Sequence, residues 1–430
     1  MVRSFSPSIN KFLYKKNTNN INDIDNIVLD NLLCDNLLNI NVNGNCYKYD
    51  NILTKNYLLN LLNKNLSNKL DIDNLTPPKQ IYSNCWFNTM FIVFFFSDKG
   101  RKFFKFFREL MIKGEKIDGN KIDKNLYKLF FILNLFIEAS YNKKLYSNIK
   151  NIYLKNITKY VSIKKQSLKQ SLKQRLSFLK NHKTIRKFKN IKPIKSIKNI
   201  TFKLNKNYNK DLRSKDKDLR TKNNNLILHA KSFNTNYFIL EIYKIIKTNS
   251  LINKFPDIND AYNPIDYFND IFNYLNYNPL KIKRLEIHYK ITNFKLFLNN
   301  NINNIYRINN FVPEIIIIDD FTEDKINYNK NYSFTLNDNI YKYKLDSIII
   351  TNKEFYLKNK NKHFVGLITI NNEEYKFDGD AKSNHILERF NWKKLINTNK
   401  DWSFKENINY IPEKYNLRRG YKILFYYRDL

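Results

Sequence analysis

Cys85 has the setting of a nucleophile. It lies in Gln80-Ile81-Tyr82-Ser83-Asn84-Cys85-Trp86-Phe87-Asn88-Thr89-Met90, and Phe91-Ile92-Val93-Phe94-Phe95-Phe96 follows, with no Pro or Gly until Gly100. Pro77 and Pro78 keep the approach extended. The pattern predicts a loop that delivers Cys85 to the first turn of a buried helix. A thiol there faces backbone N–H groups that lack intrahelical partners, and the positive end of the helix dipole. Both favour the thiolate, which is the nucleophilic form. The plainer use of a lone cysteine is as a small buried hydrophobe, so the assignment depends on finding a base.

That base must itself be oriented by a third group. The five histidines are His182, His229, His288, His363 and His385. His182 falls in a basic segment, His229 in a helical stretch, and His288 on a β stretch without an evident carboxylate partner. His363 opens Phe364-Val365-Gly366-Leu367-Ile368-Thr369-Ile370. After Asn371-Asn372-Glu373, the run Glu374-Tyr375-Lys376-Phe377-Asp378 reads as the return strand of a hairpin. Paired strands lie about 4.8 Å apart, so Asp378 comes within a rung or two of His363. It would fix the imidazole tautomer and stabilise imidazolium beside Cys85. His385, with Asp380 nearby, is the rival base. An oxyanion would need donors placed in advance. The Cys85 backbone N–H is one. The second is Gln80 or Asn84, with Gln80 favoured because a short loop can fold it back over the sulfur.

The rest of the chain must bring these groups together. Its 430 residues allow one large core or two modest ones, and 15% aromatic content suits a packed interior. Asn and Lys crowd every polar stretch, a bias expected of an AT-rich coding genome. The formal charge of +36 predicts attraction to polyanions. Cys34, Cys46 and Cys85 are the only cysteines. An odd, low count argues against a disulfide scaffold and points to an intracellular, reducing compartment. No Cys-x-x-Cys pair occurs, so a cysteine-rich zinc site is excluded, and the chemistry sketched above uses neither metal nor cofactor. The first residues, 1–20, carry no apolar signal core. The apolar runs at 91–96 and 130–136 fall short of the roughly 20 residues that span a bilayer. A soluble protein without a membrane span is expected.

Helical texture comes first and β texture later, which predicts an α+β fold. Residues 1–75 read as an N-terminal helical extension with a turn at Asn43-Gly44-Asn45. Residues 76–160 hold the nucleophile helix and the stripe Leu126, Leu129, Phe130, Leu133 and Phe136. Residues 161–225 form a basic insertion, expected to be partly disordered. Its first forty residues, 161–200, contain 13 Lys/Arg and no Asp or Glu. Such a run is a solvated insertion, a contact for an anionic partner, or a localisation signal. Helices return over 226–278, where Pro264 suits a first turn. From 279 to 430 the texture reads as β, with a buried strand at Ile315-Ile316-Ile317-Ile318 and others at 343–351 and 420–428.

Taken in order, these motifs resemble the ubiquitin-specific proteases, a papain-like cysteine peptidase family. The family's cysteine box, N-x-G-x-T-C-Y-x-N-S, is matched by Q-I-Y-S-N-C-W-F-N-T, with Gln80 at the oxyanion asparagine and Trp86 in place of Tyr. Its histidine box is matched by H-F-V-G and E-Y-K-F-D-G-D. Its P-x-x-L-x-I-x-L strand is similar to P-E-I-I-I-I-D-D-F, and its A-Y-x-L-F-Y-x-R ending to G-Y-K-I-L-F-Y-Y-R. Its D-A-x-E-F helix is echoed by D-Y-F-N-D-I-F. The resemblance covers about residues 78–430, without the zinc cysteines of a fingers subdomain. It implies a helical thumb carrying Cys85, an antiparallel β palm carrying His363 and Asp378, and reduced fingers. The implied activity is that of a deubiquitinase-like thiol protease acting on conjugates of ubiquitin or a ubiquitin-like protein. The Asn/Lys-rich texture suggests a large DNA virus, with host cytoplasm or virion as the location. Two alternatives stand beside it. One is a viral protease that processes structural proteins. The other is an inactive basic protein that is structural or associated with nucleic acid.

Overall fold

The structure, a computed structural model, describes residues 32–34, 37–80, 84–149, 235–248, 264–276, 282–322, 326–352, 363–380, 387–404 and 413–429. The basic insertion at 161–225, together with His182, His229 and His385, lies outside the described residues. The described residues within 38–146 and 235–429, with 32–34, belong to one compact unit. Of a second unit, 35–37 and 147–233, only 37 and 147–149 are described.

The described part of the N-terminal extension is a hairpin, one α-helix and a 3-10 turn at Ile72–Asn74, not helices alone. Strands β1 (Asn39–Val42) and β2 (Asn45–Lys48) pair antiparallel. They turn on Asn43 and Gly44, whose φ values are 53° and 85°. Two left-handed residues in sequence suit the right-handed twist of the strands. Cys34 and Cys46 are joined by a disulfide, with Cα atoms 6.1 Å apart. The sequence argued against a disulfide scaffold; the structure carries this single bridge, and Cys85 is the free cysteine. Helix α1 (Ile52–Ser67) then starts on an Asn51 side chain that accepts from the Leu53 N–H at 2.8 Å.

Helix α2 (Cys85–Phe95) is buried along its whole length, as an all-round apolar helix must be. Three helices follow: α3 (Asp98–Phe103), α4 (Lys105–Lys113), which stops at left-handed Gly114, and α5 (Lys124–Ser140), capped by Asp123. After the undescribed stretch come α6 (Thr235–Thr248) and α7 (Pro264–Tyr274). Phe94, Phe104, Phe268 and Phe272 mesh between these helices, with Phe94 stacked on Phe104 at 3.7 Å. Each fully buried Phe contributes roughly 1.5–3 kcal/mol over exposure. Apolar packing therefore dominates the placement of α2. One buried ion pair, Arg108 with Glu138, links α4 to α5, and Arg108 Nε also donates to Asn134 Oδ1 at 2.9 Å.

The remaining chain builds a mostly antiparallel sheet. Its strands are β3 (Ile282–Ile287), β4 (Ile315–Asp320), β5 (Asn331–Leu336), β6 (Asn339–Thr351), β7 (Phe364–Ile370), β8 (Glu373–Phe377), β9 (Leu387–Arg389) and β10 (Lys422–Arg428). They lie in the order β3-β4-β10-β6-β7-β8-β9, with β5 paired to the first half of β6. Only the β3–β4 pair is parallel among the described strands. The α+β class expected from the sequence is therefore observed, with one correction inside the β region. Residues 294–309, read as β, form helix α8 (Phe294–Asn309). Phe294, Leu298, Ile302 and Ile305 make its buried stripe, and the Asn293 side chain caps it through the Leu296 N–H at 2.9 Å.

Alternation along β10 separates the two faces of the sheet. Leu424 and Tyr426 join the core that α8 covers. Phe425 and Tyr427 point the other way, against Phe94 of α2 and Phe103 of α3. Helix α2 lies against β7 and β6. A short helix, α9 (Trp392–Leu395), precedes β10. No helix among the described residues is long and apolar enough to cross a membrane.

Candidate active site

Burial fixes Cys85 as the first residue of α2, with 3% of its surface exposed. Asn84 precedes it at the N-cap position but makes no side-chain cap bond. Its carbonyl instead accepts from the N–H groups of Phe87 and Asn88, at 3.1 and 3.0 Å. The N–H groups of the first turn, Cys85 included, precede any carbonyl of their own helix and face outward along its axis.

The β7–β8 hairpin positions the other two groups. Its turn is Asn371-Asn372, both left-handed, with φ values of 53° and 65°. Ile370 opposes Glu373, and the register runs on to Gly366 opposite Phe377. His363 stands just before β7 and Asp378 just after β8, so the hairpin brings its two open ends together. His363 Nε2 bonds Asp378 Oδ1 at 2.7 Å, with side chains only 10% and 12% exposed. The same Oδ1 accepts from the Asp380 N–H at 2.9 Å. Cys85 stands close enough to the His363 side chain to act on its protonation. Burial alone would lower the His363 pKa. The bond to Asp378 and the nearby Cys85 outweigh it and hold the imidazole well above its ordinary value.

Residues far apart in sequence thus meet as thiol, imidazole and carboxylate. Gln80 lies beside them, and its backbone N–H donates to the Gly379 carbonyl at 2.7 Å. A Cβ on Gly379 would come within 3.2 Å of Gln80 N and 3.4 Å of Asn88 Nδ2, so a side chain here would press these neighbours back by a few tenths of an ångström. Asn84, the other oxyanion candidate, points elsewhere. It is fully buried, and its Nδ2 donates to Thr235 Oγ1 at 2.7 Å. His288 stands away from the site, 59% exposed and 3.1 Å from Glu286.

Other groups at the site left little or no signal in the sequence. Asn88 is fully buried and donates to the Lys79 carbonyl at 3.2 Å. In the sequence it matches the Asn of the N-S pair in the cysteine box, with no role attached. Thr235 reaches the site from α6, and nothing in its local sequence marks it. Tyr415 is buried close by. Its phenol is held well above its usual range by burial, by Asp378 and Glu413, and by Cys85. It donates to Glu413 Oε2 at 3.0 Å, and its ring stacks on Trp402 at 4.8 Å.

No protein-family model matches the chain, and no curated protein matches it in sequence. The site therefore has to be judged on its own geometry. A buried thiol, an imidazole beside it and a carboxylate bonded to that imidazole form an arrangement suited to nucleophilic acyl transfer.

Proposed function

We propose that the protein is a papain-like cysteine peptidase of the ubiquitin-specific protease kind. The single observation that carries this reading is the meeting of Cys85, His363 and Asp378, with His363 Nε2 bonded to Asp378 Oδ1 at 2.7 Å and Cys85 beside the imidazole. The order of the motifs around it supports the substrate class, conjugates of ubiquitin or a ubiquitin-like protein. In papain-like terms, α2 to α7 form the thumb and the sheet of β3 to β10 the palm.

The Cys85 sulfur attacks the carbonyl carbon of a peptide or isopeptide bond, and the thiol proton resides on His363. A tetrahedral oxyanion forms, held by the Cys85 N–H and by Gln80. His363 returns its proton to the leaving amine as the C–N bond breaks, leaving a thioester on Cys85. Water, deprotonated by His363, then attacks the thioester and releases a carboxylate, and the thiol is regenerated. Asp378 keeps the ring oriented and stabilises its protonated form.

The test is hydrolysis of ubiquitin carrying a C-terminal aminocoumarin amide. Wild type should release the fluorophore. Cys85→Ala should release none while keeping the thermal unfolding profile of the wild type. Equal release by both proteins would remove Cys85 from the chemistry and end the reading.

A further inference from the structure

Behind the nucleophile, three fully buried polar side chains close a ring. Asn84 Nδ2 donates to Thr235 Oγ1 at 2.7 Å, and the Thr235 hydroxyl donates to Asn88 Oδ1 at 2.8 Å. Asn88 Nδ2 faces Asn84 Oδ1 at 3.5 Å and leaves the ring to bond the Lys79 carbonyl at 3.2 Å. All three residues are 0% exposed. Through Asn88 the ring grips the backbone immediately before Gln80. On the other side, the Gln80 N–H is tied to the carbonyl of Gly379, the residue after Asp378.

The chemistry of the ring gives Thr235 a defined task. An Asn side chain can present its oxygen or its NH2 to a given neighbour. Because the Thr235 hydroxyl donates to Asn88, the Asn88 oxygen must face Thr235 and its NH2 must face Lys79. Without that donor, nothing from Thr235 holds the amide in this sense. The flipped amide would set two oxygens against each other at Lys79.

We propose that Thr235 and Asn88 are positioning residues for the oxyanion side of the site. Thr235 orients the Asn88 amide, Asn88 fixes the Lys79 carbonyl, and the fixed backbone holds Gln80 where charge develops on the substrate oxygen. This rests on the peptidase reading above and deepens it. It also links α6, which enters the described structure at Thr235, to the nucleophile helix and to the Asp378–Gly379 turn. Misplacing a catalytic group by 1 Å costs about a hundredfold in rate. A shift of a few tenths of an ångström at Gln80 should therefore cost up to about tenfold.

The experiment compares Thr235→Val, Thr235→Ala and Thr235→Ser in the full chain. Three readouts are taken: kcat and KM on the ubiquitin aminocoumarin amide, the rate at which iodoacetamide alkylates Cys85, and deuterium exchange of the peptide carrying Lys79 and Gln80. Alkylation forms no oxyanion, so it reports Cys85 and His363 alone. Val and Ala should lower kcat about tenfold with KM and alkylation changed less than about twofold. They should speed exchange at Gln80 while leaving peptides from the centre of α2 unchanged. Ser keeps the hydroxyl and should match wild type. A Val variant that does not fold leaves the smaller Ala variant to decide. Gln80 exchange unchanged in an active Val or Ala enzyme would overturn the relay alone. So would a fall in kcat matched by an equal fall in alkylation, because the hydroxyl would then act on the Cys–His pair. A wild type that hydrolyses no amide ends the peptidase reading itself.

Discussion

Asp378→Asn separates the charge of this residue from its shape. Asp378 Oδ1 receives both His363 Nε2, at 2.7 Å, and the Asp380 N–H, at 2.9 Å. The Asp380 N–H is a donor, so an asparagine must place its oxygen, not its NH2, at that point. His363 keeps an acceptor and its orientation, and only the negative charge is lost. A hydrogen bond to a charged group contributes about 1.5–3 kcal/mol and a neutral one about 0.5–1.5. The difference, about 1–1.5 kcal/mol, corresponds to about one pH unit in the His363 pKa and about 5- to 13-fold in rate. Asp378→Ala loses the whole bond, about 1.5–3 kcal/mol, or about 13- to 160-fold. The direction in pH follows from the raised His363 pKa. Activity that needs imidazolium beside the sulfur is lost as pH rises through that value, so the alkaline limb should lie well above pH 6.5. In Asn it should move down by about one unit. The assay is kcat/KM for the ubiquitin aminocoumarin amide from pH 5 to 10 for the three proteins. An alkaline limb that stays put in Asp378→Asn, or an Ala variant no worse than Asn, would refute the role given to the carboxylate.

Gly379→Ala should push its new methyl against Gln80 and Asn88, at 3.2–3.4 Å, and lower kcat severalfold while the unfolding midpoint falls little; steady-state kinetics with a denaturant titration checks both. Arg108→Ala leaves Glu138 as a buried charge without its guanidinium and should destabilise the protein by about 3–5 kcal/mol in urea unfolding at neutral pH. Asp346 is buried in β6, and loss of hydration raises its pKa to about 6. A carboxyl that binds its proton more tightly when folded costs stability as pH rises from the unfolded value through the folded one. Asp346→Asn should therefore raise the urea midpoint at pH 8 and leave it nearly unchanged at pH 4.

The grouping of Cys85, His363 and Asp378 was legible because each member sits in a pattern with a physical cause. An apolar helix follows Cys85 directly. The hairpin His363–Asp378 is marked by β-branched and aromatic runs on either side of a polar turn. Asn-rich composition hid much of the rest. Asn293 caps α8 and Asn310 closes it with a φ of 53°, yet among so many asparagines neither stood out. The same masking concealed the β5–β6 hairpin, whose turn is Asn337-Asp338 with φ values of 47° and 60°. Asn84 looked like an oxyanion donor from its position next to Cys85. Its actual partner, Thr235, lies 151 residues away, a distance that no local pattern spans. The Cys34–Cys46 bridge was missed because a count of three suggested unpaired thiols, while Cys34 reaches Cys46 only through the pairing of Leu33 with Ile40 at the edge of the β1–β2 hairpin.

The most direct test of the account is mass spectrometry of the intact protein after exposure to ubiquitin bearing a C-terminal electrophile. The account predicts a single covalent adduct mapped to Cys85, absent in Cys85→Ala and strongly slowed in His363→Ala. No adduct at Cys85, or one that forms equally fast without His363, would contradict it.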